Sequence, residues 1–202
     1  MASSQKAPPV DKRRQILDAA IRVFARQGFH ATRVADIADE AGVAYGLVYH
    51  YFKSKDEVLN ELFSERWSLL LTAIDEADRS EAAPRAKLEA VAGFIVDSYQ
   101  HNPELMKVII VEVTRAANSF GRTHLPEIRR AYDSIARIVA DGQRQGAFRG
   151  DVDADFASMS FYGAIEQLLS GWIFELIPAG EGDFEQAKLL VVAAICDGLE
   201  PR

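Results

Sequence analysis

The chain has 202 residues, 49% apolar and 26% charged, with net charge −7 and a single cysteine, Cys196; this excludes a disordered or collagen-like chain, an internal disulfide and a multi-cysteine metal site. No run approaches the ~18 uncharged apolar residues of a membrane span, and the N-terminus lacks the apolar stretch of a secretory signal, so a cytoplasmic protein with no membrane partner is expected. Charge is uneven: residues 1–56 carry nine Lys/Arg against six Asp/Glu, and residues 57–202 carry fourteen against twenty-four, which describes a small basic head suited to a phosphate backbone and a larger acidic body.

Residues 1–10, small and polar with Pro8-Pro9, are expected to form a disordered arm. Asp11 then caps a helix that repeats Ile16, Leu17, Ala20, Ile21 and Phe24 at helical spacing and stops at Gly28. Thr32 caps a short helix from Arg33 to about Ala41, burying Val34, Ile37 and Ala38, and Gly42 ends it. Tyr45 to Tyr51 form a third short helix. Ser54 and Glu57 have capping-box spacing and open a long helix to about Arg79. Pro84 suits the first position of the next helix, and Asn102-Pro103 is another cap and start. Residues 107–114 are rich in β-branched side chains and read as strand or buried helix on content alone. The preceding cap and the lack of a partner strand favour the helix. Helices follow over Pro126–Gln145, ended by Gly146, then from the Asp153 cap to about Leu176, and from the Asp183 cap to about Leu199. The fold class is therefore all-α, with about nine helices and no internal repeat.

Helices two and three, joined by Gly42-Val43, have the layout of a helix-turn-helix. The turn needs a residue without a Cβ clash, and Gly42 provides it. Ile37, Ala38 and Ala41 bury one face of the first helix; Val43, Val48 and Phe52 anchor the second. Tyr45, Gly46, Leu47, Tyr49, His50 and Tyr51 are left facing outward or sideways. Three tyrosines and a histidine there suit phosphate hydrogen bonds, thymine-methyl contact and base-edge contact.

At Ile16-Leu17-Asp18-Ala19-Ala20, Phe24, Gly28-Phe29, Thr32, Ile37-Ala38, Ala41-Gly42-Val43 and Gly46 through Lys55, the sequence resembles the TetR family of transcriptional regulators. The resemblance implies an all-α homodimer with a helix-turn-helix DNA-binding domain over residues 11–56 and a ligand-binding and dimerisation domain over residues 57–202. It carries the family's DNA contacts onto Thr32, Arg33, Ala44, Tyr45, Gly46, Leu47, Tyr49, His50, Tyr51 and Lys55. Thr32, Arg33 and Lys55 stand at helix starts, where free amides favour phosphate. Leu47 departs from the Thr or Ser usual at its position, shifting readout towards thymine methyls. Lys6, Lys12, Arg13 and Arg14 are either further DNA contacts or a solvated basic face.

In the body, the helix after Asp153 and the last helix are apolar on nearly all sides. Phe161, Ile165, Leu168, Leu169, Trp172, Val191, Val192 and Ile195 are expected at a four-helix dimer seam, the alternative being a thick monomer core. Trp67, Phe94, Tyr99, Met106, Ile110, Phe120, Tyr132, Met159, Tyr162 and Glu166 are candidates for an effector pocket, although such a stripe is also plain core. Glu166 would recognise a cationic ligand, pair with an arginine or reach solvent; the structural readings are favoured, because unpaired buried carboxylates are rare. The stretch Phe161 to Gln167 with Trp172 resembles FadR-type members of the family. That implies a long-chain acyl-CoA effector, with Arg115, Arg122, Arg129 and Arg130 for its phosphates or, alternatively, for surface salt bridges.

No nucleophile elbow, P-loop, zinc-protease or dinucleotide motif is present, and the four histidines lack metal-ligand spacing, so neither an enzyme nor a metal or cofactor site is expected. The competing reading is a helical carrier of apolar ligands without DNA binding. The outward Tyr-His-Tyr cluster is what separates the two.

Overall fold

A computed structural model describes residues 11–115 and 123–199. The expected arm at 1–10, together with Phe120 and Arg122, lies outside the described residues, as does the Arg115 side chain. The described residues form nine helices: α1 (Lys12–Gln27), α2 (Val34–Ala41), α3 (Tyr45–Tyr51), α4 (Lys55–Arg79), α5 (Pro84–His101), α6 (Pro103–Arg115), α7 (Leu125–Arg144), α8 (Ala154–Ile173) and α9 (Glu181–Leu199). No strand occurs among them. The chain divides into two compact units, residues 1–62 and 63–202, and α4 supplies residues to both.

In the first unit, the Asp11 carboxylate accepts the Arg13 amide at 3.0 Å and starts α1. Ile16, Leu17, Ala20, Ile21 and Phe24 are buried, as their spacing requires. Gly42 has φ +61°, a left-handed conformation that lets the chain turn from α2 into α3. Its neighbour Val43 donates to the Ala38 carbonyl at 3.0 Å. Gln15 closes the end of α2 by donating to the Ala41 carbonyl at 2.6 Å. Arg22 and Arg26 both reach Glu40, at 2.7 and 3.2 Å. The Arg22 and Arg26 hydrogen bonds hold the Glu40 carboxyl below the usual carboxylate range. The start of α4 differs in one detail from the expected box. Ser54 accepts the Glu57 amide at 3.2 Å, while the Glu57 carboxylate takes the Lys53 amide, one residue before the cap.

The second unit has one core, which includes Phe63, Leu70, Ile74, Leu88, Ile95, Ile135, Ile138, Phe161, Ile165 and Leu169. Here α7 packs on α8, and α5 packs on α6, α7, α8 and α9. The β-branched run is helical within α6, with Val108 and Ile109 buried. Asn102 accepts the Leu105 amide at 3.0 Å and Asp153 the Phe156 amide at 2.8 Å, so both act as the expected caps. Asp183 does not begin the last helix. It lies in the first turn of α9 and its carboxylate reaches back to the Gly180 amide at 2.8 Å. Cys196 is buried in the core.

Gly142 marks a close approach on α7. A Cβ built there would lie 2.4 Å from Phe148 Cδ2 and 2.9 Å from Pro84 Cβ. Gly142→Ala is therefore expected to destabilise the body by ~1–3 kcal/mol through overpacking, read as a lowered midpoint in urea unfolding followed by circular dichroism.

Candidate nucleic-acid interface and ligand cavity

Helix α3 is anchored by little of its own length. Val48 is fully buried and Phe52 follows it inward, while Tyr45 and Tyr49 are 52% and 44% exposed. Their rings meet edge to face at 5.1 Å and their hydroxyls stand 3.1 Å apart. His50 and Tyr51 are likewise exposed, with ring centroids 5.1 Å apart, and Ala44 and Gly46 are open to solvent. Leu47 is half-buried. A short helix with one buried edge and an aromatic, hydrogen-bonding outer face has the shape that major-groove reading requires.

Thr32, Lys55 and the backbone amide of Arg33 also serve the fold. Thr32 is buried, and its hydroxyl donates to the Gly28 carbonyl at 2.7 Å instead of capping α2. The Arg33 amide donates to Asp36 at 2.8 Å, which leaves the exposed side chain as what Arg33 offers a phosphate. The Lys55 ammonium donates to the carbonyls of Phe29, His30 and Thr32 at 2.8, 3.1 and 2.9 Å, and sits 4.6 Å from the Phe29 ring centroid. An ammonium has three N–H donors, and all three are used on the loop between α1 and α2.

In the body, a small cavity of about 30 Å³ is bordered by α4, α5, α6 and α8. It brings together five of the ten expected pocket residues: Trp67, Met106, Ile110, Tyr162 and Glu166. Phe94 and Tyr132 adjoin it. Phe94 lies under the Arg66 guanidinium at 4.7 Å, and the Tyr132 ring is 5.4 Å from Tyr162. Burial pushes the Tyr162 phenol up, aided by the nearby Glu166 and Tyr132. Two expected residues lie elsewhere. Tyr99 stacks on Trp172 at 5.4 Å, and Met159 is exposed beside Leu125, Arg129 and Tyr132. Ile110 and Glu166 also border an outer groove of about 310 Å³.

Arg66 is the residue that the sequence reading passed over. It stands three positions after Phe63 and four before Leu70, both buried, so helical spacing places it on the buried stripe of α4. Desolvation holds its guanidinium below the usual arginine range. Trp67, beside it, stacks on Phe63 at 5.0 Å, and its Nε1 is buried with no hydrogen-bond partner.

Of the residues expected at the dimer seam, Phe161, Ile165, Leu169, Trp172, Val191 and Val192 are buried in the core of their own protomer, and Leu168 and Ile195 are half-buried. Exposed apolar side chains on and between α8 and α9 are Phe156, Met159, Phe174, Leu176, Ile177, Leu189 and Leu190. Arg129 is exposed, and Arg130 pairs with Asp75 at 2.8 Å. Among the described residues no group of three or more His, Cys, Asp or Glu could hold a metal, and no helix is long and apolar enough to cross a membrane.

A helix-turn-helix head and a separate helical body with its own cavity define a DNA-binding regulator of the one-component kind. Comparison with known proteins gives the family. Residues 16–62 match the model for bacterial regulatory proteins of the tetR family, and residues 84–166 match a tetracyclin repressor-like C-terminal domain. The fatty acid metabolism regulator protein of Bacillus subtilis is 31% identical over 172 residues, covering 84% of this chain and 86% of that one. The transcriptional repressor KstR2 of Rhodococcus jostii is 29% identical over 158 residues, covering 74% and 78%. The crystal structure of FadR from Bacillus subtilis in complex with stearoyl-CoA superposes with a TM-score of 0.81 at 25% identity, covering 93% of this chain and 99% of that one. The chain belongs to the TetR family; it is a transcriptional regulator and not an enzyme.

Removing the Lys55 donors should loosen the head. Lys55→Met is expected to cost ~1–3 kcal/mol through three carbonyls left without their donor and to raise amide exchange across residues 28–33; unchanged exchange there would show that the ammonium does not hold the loop.

Proposed function

We propose that the protein is a repressor that binds a palindromic operator as a homodimer and releases it when an apolar small molecule enters the body. The observation that carries the DNA side is the outer face of α3: four exposed ring side chains on a helix anchored by Val48 and Phe52. A short recognition helix reads few bases, so specificity requires two heads on half-sites spaced by whole turns, ~34 Å for one turn. Ala44, Tyr45, Gly46, Leu47, Tyr49, His50 and Tyr51 supply the contacts, with Arg33 on phosphate. Lys55 acts by holding the loop before α2. The domain boundary near residue 56 follows from the same reading, as does action in the cytoplasm.

The dimer forms through the outward faces of α8 and α9. Leu189 and Leu190 are 68% and 58% exposed, and a Cβ built at Gly163 meets nothing within 4 Å. Leu168 and Ile195 extend that seam from its half-buried edge. Large exposed apolar side chains of this kind are what an obligate interface covers.

The effector is an acyl-chain ligand, with a long-chain acyl-CoA the leading candidate. Support comes from the named relatives and from the apolar walls of the cavity at Met106, Ile110 and Tyr162. Arg129, exposed beside a shallow groove, is the described arginine placed to meet a phosphate. The ligand shifts the equilibrium by its preference for the released state, for which a coupling of ~1–3 kcal/mol is typical. A carrier function would leave the α3 face without a role.

An operator selected from randomised duplexes tests the reading by mobility shift. Tyr49→Ala with His50→Ala should lower operator affinity at least ~100-fold while leaving the sedimentation coefficient unchanged. Leu189→Asp with Leu190→Asp should yield monomers by analytical ultracentrifugation and lose the operator with them. A hexadecanoyl-CoA that binds without altering operator affinity would refute the switch.

A further inference from the structure

We infer that Arg66 and Trp67 form an anchor for the acyl oxygen of the effector, a carboxylate or thioester oxygen at the end of an apolar chain. This rests on the reading that the body takes an apolar ligand, and it names the group recognised and the residues that recognise it.

Two donor side chains without an acceptor among the described residues line one cavity. The described arginines at 85, 130, 137 and 149 each reach a carboxylate within 2.5–3.5 Å. Arg66 is the reverse case. It is half-buried, and no hydrogen bond or ion pair joins it to any described residue. Its described contact is the Phe94 ring, 4.7 Å from the guanidinium carbon. Stacking covers the face of a guanidinium and leaves its N–H bonds, which lie in the plane, directed elsewhere. The neighbouring Trp67 is only 6% exposed, and its Nε1 proton has no acceptor. A donor cannot satisfy a donor, so the pair is completed by an acceptor from outside the chain.

The surroundings specify the rest of that acceptor's molecule. Leu70, Ile95, Met106 and Ile165 wall the cavity, so the group arrives on an apolar body. The cavity holds about 30 Å³, room for head-group atoms and far below the ~300 Å³ of a pocket that encloses a whole ligand. The remainder of the chain extends past Ile110 and Glu166, which border both the cavity and the groove of about 310 Å³. Glu166 lines the same cavity and its carboxylate opposes an anionic group there, so selection for an acceptor is carried by the guanidinium and indole donors. A half-buried guanidinium without an ion-pair partner adds little to a fold, and ligand recognition accounts for its retention.

Calorimetric titration of the full chain with hexadecanoate, hexadecanoyl-CoA and hexadecylamine, all below their micellar concentrations, tests this. The chains match in length, and the amine offers donors and a positive charge where the others offer acceptors. The acid or the thioester should bind at least ~10-fold tighter than the amine. Arg66→Met should abolish that preference, and Trp67→Phe, which keeps the ring, should weaken the preferred ligand about fivefold. Arg66→Met should melt no lower than the wild type without ligand, whereas a residue that serves the fold would lower the melting temperature; Trp67→Phe leaves a gap in the core and is judged by its ligand preference alone. A stronger response to the acid assigns the free carboxylate as the group held, and a stronger response to the thioester assigns its carbonyl. Arg66→Met with the preference intact, or an amine bound as tightly as the acid, overturns the anchor alone. Failure of all three to bind the wild type overturns the apolar-effector reading and the anchor with it.

Discussion

Helix α4 begins with a lysine whose ammonium draws together three backbone carbonyls, and it continues without interruption to the arginine and tryptophan that face the cavity. An ammonium has three donors, and a carbonyl stripped of its donor costs ~1–3 kcal/mol, so this one side chain ties three points of the loop between α1 and α2. That loop is also held by the Thr32 hydroxyl on the Gly28 carbonyl, and it leads directly into α2 and then α3.

The elements legible in the sequence were those set by local chemistry. Asp11, Asn102 and Asp153 act as caps because a short acceptor side chain before a helical run has one nearby use. Gly42 was legible because a left-handed turn at that position admits few other residues. The β-branched run at 107–114 was ambiguous by composition, and packing as α6 resolved it. Asp183 was misplaced by a turn because a carboxylate can reach back from inside a helix as readily as it can cap from before it. Thr32 and Lys55 were legible as motif positions but not in their roles, since the carbonyls they serve belong to the loop between α1 and α2 and become neighbours only on folding.

The body was harder to read for a different reason. A helix that is apolar all round does not declare which side is core. Phe161 and Ile165 lie inside the protomer's own core, while Leu189 and Leu190 on the last helix face out. Trp67, Met106, Ile110, Tyr162 and Glu166 border one cavity, because aromatic and sulfur side chains gather where packing is irregular. Arg66 escaped notice because a charged residue in a helix reads as surface by default. Only its register between Phe63 and Leu70 signals otherwise.

Both tryptophans of the chain, Trp67 and Trp172, belong to the body, and the head has none. Their indoles are also differently placed: one is stacked on Phe63 with its nitrogen unbonded, and the other is stacked on Tyr99 with its nitrogen bonded to the Pro178 carbonyl at 2.9 Å. The intrinsic emission of this molecule is thus spatially selective by construction. Light absorbed at the red edge of the spectrum interrogates the sensory half while the reading half stays dark, so the two events of the regulatory cycle are optically separable without any attached dye.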